Sequence, residues 1–431
     1  MMTLGIVALA KSLRLSRISC TDLIMDSIAQ IDLQNTKLKA WTHLDREASI
    51  LAAGKLDTLA SRGIWLGPLH GIPVGVKDII DVAGMPTGAG FHNSSGTIAR
   101  EDSEFVADLR AQGMVIVGKT TTCAFAGFDP SPAVNPIYPD RTPGGSSAGS
   151  AVAVASGHCP VTLGSQTGGS ILRPAAYCSV VGFKPTWGVI PVKGILPLAP
   201  SLDHAGFLVN HVSDLPSLLN ATLRKSITGK PPRTFSSPRF VFWEGLDKIW
   251  GSDLRAIPET IRLISPHGAI FRSEPIPYEL EGWLDSHHKI MASEAYFWHN
   301  RFMPNWETIY PEKIKMLLQM GRQLRGGQVI AAFKHRQSAR TLMNKKIDHD
   351  EILCLPASET EVPLRSMTGN SRIQSLASFL GWPALSFALE SKQQIDKKTG
   401  QKVPQVQWVA KSGQDWLLVL QGIWAVARSL V

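Results

Sequence analysis

Residues 144–185 read GGSSAGSAVAVASGHCPVTLGSQTGGSILRPAAYCSVVGFKP. Two glycine-serine clusters are joined here by an apolar run of small side chains. Glycine lets the backbone turn sharply and lets a ligand approach it closely, so each cluster sets a serine hydroxyl at a bend in the main chain. One such cluster alone reads as a tight turn. Two of them around a small-residue run ask for a chemical reason.

Three chemistries compete for the stretch. A nucleotide phosphate loop needs lysine after the second glycine of Gly144 to Gly149, and position 150 is Ser150. Residues 145–149 also spell GxSxG with Ser147 at the centre, but a nucleophile elbow requires a buried strand just before it, and the chain there reads YPDRTPGG. The third reading uses both clusters. AVAVAS at 151–156 forms a buried helix or strand, Val161 to Leu163 returns as a strand, and Gly168, Gly169 and Ser170 then offer consecutive backbone N–H groups around a hydroxyl, as an oxyanion hole requires.

Upstream, residues 67–82 read GPLHGIPVGVKDIIDV, a glycine-proline approach to a short β-rich run with Lys77 in its middle. A lysine among Val74, Val76, Ile79 and Ile80 either lays its stem along apolar surface with its ammonium in water, or is buried enough for the neutral amine to act as a base. Around this run, residues 3–62 read as helical. Ser19 or Thr21 caps a helix carrying Leu23, Ile24, Ile28 and Ile31, and a second helix runs from about residue 45 to 60, ending before Gly63. Residues 101–118 suggest a helix feeding a buried strand, and the proline-rich 119–143 reads as loop.

With these pieces together the chain resembles the amidase signature family of serine amidohydrolases. The resemblance rests on GIPVGVKD at 71–78, GGSSAGS at 144–150, SQTGGS at 165–170, RPAA at 173–176, GFKPTWG at 182–188, SLDHAG at 201–206 and LGWPAL at 380–385. Ser146 and Ser170 stand 170 − 146 = 24 residues apart, the family's spacing for its two catalytic serines. The resemblance implies a single α/β domain over 1–431 with a mixed sheet covered by helices. Within it fall N-terminal helices (1–62), a signature core (63–225), a variable helical region (226–350) and a C-terminal return to the core (351–431).

The resemblance also implies roles. Ser170 is the nucleophile, Ser146 a relay that follows a cis peptide bond, and Lys77 the base. The backbone N–H groups of Thr167, Gly168, Gly169 and Ser170 form the oxyanion hole, and Ser147 supports the lysine or the relay. The implied activity is hydrolysis of a carboxamide or related C–N bond through an acyl-enzyme. Its rivals are the glutaminase subunit of a tRNA-dependent amidotransferase and a silent scaffold of the same fold. Four positions depart from the family pattern. Gln166 stands where an Asp is common, so a neutral amide must hold the loop; Ala148 replaces a glycine; Thr121 and Ala124 stand where Asn and Glu are expected. Arg173 is read as structural, paired with a carboxylate, in preference to binding an anionic substrate. Phe125 and Phe128, with Trp298, Phe302 and Trp306 of the variable region, are the candidate pocket aromatics.

Composition excludes several other classes. A 431-residue chain that is 44% hydrophobic can bury a large core and is not disordered. No apolar run reaches the roughly 18 residues of a membrane span, and Cys20, Cys123, Cys159, Cys178 and Cys354 are scattered without a CxxC pair, so a reducing cytoplasm is expected. The net charge of +9 is uneven: residues 301–350 hold ten Lys and Arg against four Asp and Glu. With no nucleic-acid motif, that segment reads as a solvated helix face. His70, His92, His204, His267, His287, His288 and His299 show no metal-ligand spacing, and the mechanism requires none of them. The expected partner is a small-molecule amide, with no metal, organic cofactor, nucleic acid or membrane, and with a homodimer left open.

Overall fold

Capping chemistry defines two of the N-terminal helices. In the computed structural model, which describes residues 1–91, 96–222, 237–246, 254–358, 361–389 and 405–429, Ser19 accepts from the Asp22 N–H at 2.9 Å while the Asp22 carboxylate accepts from the Ser19 N–H at 2.9 Å. This reciprocal pair satisfies two otherwise orphaned donors and starts the helix Cys20–Leu38. Asp45 likewise caps Arg46–Ser61 by accepting from the Ala48 N–H. Between the two helices, however, Trp41–Leu44 is a strand (β1), in a region expected to be helical throughout. Lys39 enters the left-handed region (φ 51°), which ends the preceding helix and lets the next residues extend along a sheet edge.

Among the described residues twelve further strands follow: β2 (Pro73–Lys77), β3 (Pro86–Thr87), β4 (Thr97–Ile98), β5 (Val115–Thr120), β6 (Val161–Gln166), β7 (Val181–Lys184), β8 (His204–Val209), β9 (Arg239–Glu244), β10 (Ile270–Pro275), β11 (Glu351–Pro356), β12 (Ala384–Phe387) and β13 (Val406–Val409). β3 and β4 form a small ribbon, and the rest join one mixed sheet in the order β1-β5-β2-β6-β8-β7-β12-β13-β11-β9-β10. The β5-β2-β6 segment is parallel, and β6 then pairs antiparallel with β8. This is the expected α/β architecture with a mixed sheet flanked by helices. Residues 119–143 are largely irregular, as the prolines require.

β2, β5 and β6 are buried along their whole length, so the polar side chains they carry, Lys77, Lys119 and Gln166 among them, are enclosed as well. The AVAVAS segment resolves as a helix, Ala148–Ala155, whose small side chains let it pack tightly against β6 and β2. Ser150 joins it to the sheet, donating to the Leu163 carbonyl at 3.0 Å and sharing a 2.8 Å hydrogen bond with Thr120 Oγ1.

The basic segment 301–350 keeps most of its Lys and Arg side chains exposed or half-buried, as a solvated face requires, and departs from that expectation at two arginines. It forms the helices Glu312–Gln323 and Gly326–Lys346, and Arg336 is buried with Nε donating to the Phe379 carbonyl at 2.7 Å. Arg340 Nε donates to the Leu380 carbonyl at 2.9 Å. Both guanidinium groups cap the carbonyl end of the helix Arg372–Leu380, where a positive charge also meets the negative end of the helix dipole.

Asp78, the residue after β2, enters a buried ion pair with Lys119 (3.2 Å), whose Nζ also donates to the Pro86 carbonyl and to Thr87 Oγ1. The pair ties the end of β2 to β5 and to the β3 ribbon. Lys119→Met strands the buried Asp78 carboxyl and is expected to lower unfolding free energy by about 3–5 kcal/mol, read from denaturant titration.

Candidate active site

Parallel pairing of β2 with β6 brings two strand ends together. Val76 lies opposite Leu163, so Lys77, the last residue of β2, emerges beside the last residues of β6. Lys77 Nζ lies 2.7 Å from Ser146 Oγ and 2.9 Å from Ser165 Oγ, and it is fully enclosed. Desolvation by burial pushes its amine down to about 7, against the opposing influence of Cys123 and Asp203. A group ordinarily charged well above neutral pH is therefore poised between its two states near neutrality.

Ser146 follows a cis Gly145–Ser146 peptide bond, as the resemblance implies. The carbonyls on either side of Ser146 are both held. Arg173 Nη2 donates to Gly145 O at 2.7 Å, and Thr122 Oγ1 and the Cys123 N–H donate to Ser146 O at 3.0 and 3.1 Å. Arg173 Nη1 also reaches the Gly369 carbonyl at 2.8 Å. Both bonds are to main-chain carbonyls, which the buried guanidinium ties together. Ser147 Oγ donates to the Ser165 carbonyl at 3.2 Å and accepts from the Ser165 N–H at 3.4 Å, so it steadies the serine that contacts Lys77. Thr121, one of the departures, donates its hydroxyl to Lys39 O at 2.7 Å and anchors the N-terminal segment; Ala124 is buried.

After β6 the chain runs through Thr167, Gly168, Gly169 and Ser170 into the helix Leu172–Tyr177. Gln166 holds this turn. Its Oε1 accepts from the Ile171 and Leu172 N–H groups at 2.9 and 3.0 Å, and its Nε2 donates to Ser378 Oγ at 3.2 Å. A neutral amide thus serves as a helix cap and has a donor left over. Thr167 Oγ1 donates to Asp203, which also accepts from the Leu198 and Ala199 N–H groups. Burial pushes the Asp203 carboxyl up to about 6.

Two cavities reach the Thr167–Ser170 turn. One, of about 480 Å³, is walled by Phe128, Gly168, Leu284, His287, Met291 and Ser371. The other, of about 380 Å³, is walled by Ala126, Ser165, Thr167, Leu196, Asp203 and Trp298. Phe128 and Trp298 therefore line cavities beside this turn. Phe125 instead stacks on Tyr310 at 4.0 Å between centroids and packs near Phe91 and His299. Trp306 is buried with its N–H on Asn300, and Phe302 stacks on Trp298. Ser165, Asp203, His287 and Ser378 carry contacts that sequence reasoning did not foresee. The first opens SQTGGS and the second lies in SLDHAG, so both sat inside quoted motifs; the other two had no local signal. Among the described residues no cluster of three or more His, Cys, Asp or Glu could hold a metal, and no helix is long and apolar enough to cross a membrane. His92 lies outside the described residues.

Comparison with known proteins identifies the family and the fold. The family profile described as Amidase matches residues 22–240. A glutamyl-tRNA(Gln) amidotransferase subunit from Chloroflexus aurantiacus is 30% identical over 409 residues, covering 83% of this chain and 82% of the relative. A crystal structure of an amidase superposes with a TM-score of 0.87 at 28% identity, over 99% of this chain and 100% of the other. The native peptide amidase of Stenotrophomonas maltophilia shares the fold, with a TM-score of 0.82 at 24% identity over 98% and 96% of the two chains. The protein is an amide-hydrolysing enzyme of the α/β class, cleaving a carboxamide or related C–N bond. The chain belongs to the amidase family.

Gln166→Ala leaves two buried N–H groups at the start of Leu172–Tyr177 without their acceptor. At about 1–3 kcal/mol for each unsatisfied group, a loss of roughly 2–6 kcal/mol is expected in a chemical denaturation curve.

Proposed function

We propose that the chain hydrolyses small-molecule amides through an acyl-enzyme on Ser170, with Ser146 as proton relay and Lys77 as base. The observation that carries this reading is the 2.7 Å contact of a fully buried Lys77 with Ser146. A serine hydroxyl is barely ionised near neutral pH, so its proton must leave as it attacks. Ser170 passes that proton to Ser146 Oγ, which passes its own to the neutral Lys77 amine. The Ser170 oxygen bonds to the amide carbon, and negative charge moves to the carbonyl oxygen against the N–H groups of Thr167, Gly168, Gly169 and Ser170. Collapse breaks the C–N bond, returns the proton to the departing nitrogen and leaves the Ser170 ester. Water then repeats the sequence, and the carboxylate departs.

On this reading the signature core, 63–225, supplies the reacting groups, and the variable region adds walls to the two cavities. These take the acyl and amine portions of the substrate beside the oxyanion turn. The enzyme acts without an ammonia-accepting partner, a reading supported by likeness to an amidase over 99% of the chain. Five free, buried cysteines fit a reducing cytoplasm. Purified protein tested alone against aliphatic, aryl, urea-type and amino-acid amides, with glutamine among them, is expected to release ammonia or amine from a simple amide. Turnover of glutamine alone, and only with a second protein present, would favour the amidotransferase reading.

Ser170→Ala is expected to abolish turnover and to leave unfolding free energy within about 1 kcal/mol of the parent, since no core cavity is opened. Retained activity would remove Ser170 from the mechanism. The base must be neutral, so kcat/KM in the parent rises with pH through about 7, the value of the Lys77 amine, and levels above it. Lys77→Ala is expected to lose both the activity and that rise; a mutant keeping the parent profile makes Lys77 structural.

A further inference from the structure

The proposed oxyanion hole is made of backbone N–H groups, and backbone groups are only as well aimed as their peptide planes. In a trans peptide the carbonyl of one residue and the N–H of the next lie in one plane and point oppositely. Whatever grips the carbonyl therefore also aims the N–H. The Gly168 N–H shares its plane with the Thr167 carbonyl, the Gly169 N–H with the Gly168 carbonyl, and the Ser170 N–H with the Gly169 carbonyl.

All three carbonyls have donors behind them. His287 Nε2 donates to Thr167 O at 3.0 Å, Ser378 Oγ to Gly168 O at 2.9 Å, and the Arg173 N–H to Gly169 O at 2.9 Å. Ser378 in turn accepts from Gln166 Nε2. The third of these is a backbone bond within the turn. The first two come from side chains on separate elements, His287 from the long helix Leu280–Phe302 and Ser378 from Arg372–Leu380. The packing is close: a β-carbon added at Gly168 would stand 3.1 Å from Ser375 Oγ and 3.7 Å from the His287 ring, and one at Gly169 would stand 3.0 Å from Gln374 Cβ. Burial holds the His287 imidazole down to about 4, so it is neutral with its proton on Nε2, the tautomer that a carbonyl acceptor requires.

We propose that His287 and Ser378 are positioning residues of the oxyanion hole, aiming the Gly168 and Gly169 N–H groups by hydrogen-bonding the carbonyls on the far side of the same peptide planes. The proposal rests on the reading of Ser170 as nucleophile. Its effect falls on the transition state, because a well-aimed donor matters most when negative charge has developed on the oxygen it faces. Polarisation adds to alignment, since an acceptor carbonyl that is itself hydrogen-bonded strengthens the N–H across its plane. His287 lies in the part of the chain with no family motif, yet it reaches the site.

An alkyl fluorophosphonate tests this without knowledge of the natural substrate. Ser170 Oγ bonds to phosphorus, the P–F bond breaks, fluoride leaves, and the serine proton passes through Ser146 to Lys77; the phosphoryl oxygen gains charge in the oxyanion hole. Labelling rates are followed by mass spectrometry across pH, with Ser170→Ala as the unreactive control and thermal melting of every variant. His287→Phe, which keeps a ring and removes the donor, is expected to slow labelling by roughly tenfold or more, short of the roughly 100- to 1000-fold expected for loss of a donor itself. The pH midpoint stays near 7, because the base is untouched. His287→Gln restores an N–H and recovers most of the rate, and Ser378→Ala gives an independent loss of the same kind. Labelling of both His287→Phe and Ser378→Ala within about twofold of the parent overturns the proposal. So does a loss that follows melting temperature and is not rescued in His287→Gln. Absence of labelling in the parent, or labelling of Ser170→Ala in the same peptide, overturns the nucleophile reading itself and the proposal with it.

Discussion

Everything at this site follows from removing one amine from water. A lysine at the end of a strand buried on both faces loses the solvation that keeps it charged, and the structure returns only part of it, through the hydroxyls of Ser146 and Ser165 and the carbonyl of Ser165. The surrounding architecture is what such a burial demands. Two parallel strands must end side by side, a helix of alanine and valine must lie close enough to seal the space, and a neighbouring serine, Ser147, must hold Ser165 still. A looser sheet would admit water and let the amine return toward its ordinary, charged range.

The second constraint is that a chain full of glycine must be rigid. The Thr167–Ser170 turn has almost no side chains of its own with which to resist motion, so its rigidity comes from its neighbours. Gln166 fixes it to the following helix, Asp203 to a neighbouring loop through Thr167, and His287 and Ser378 to two further helices. These fixings are hydrogen bonds in a dry environment, where each is stronger than in water and each would be costly to leave unmade.

Much of this was legible in the sequence, for reasons that can be named. Lys77, Ser146, Ser147, Gln166 and Ser170 sit in short motifs whose glycines and spacing are local properties of the chain, and the helix cap at Ser19 is likewise local. What was not legible came from distance or from ambiguity of side-chain type. His287 and Ser378 meet the turn from 120 and 210 residues away in the chain, and neither residue type in its own helix signals anything beyond packing. β1 is four residues long, too short for a period to show. Arg336 and Arg340 were read as solvated because arginine usually is; a long apolar stem and a planar head let them instead finish off the carbonyl end of a buried helix.

Those two arginines bear on how freely the enzyme can be recombined. The region from 280 to 346 carries none of the family's motifs and looks like a module that evolution or a designer could exchange for another specificity. Yet through Arg336 and Arg340 it clasps the end of Arg372–Leu380, and through His287 it touches the turn that carries Ser170. A transplanted segment would have to bring those three side chains in register along with its new walls. The exchangeable part of the molecule and the part that holds the signature motifs are therefore interlocked.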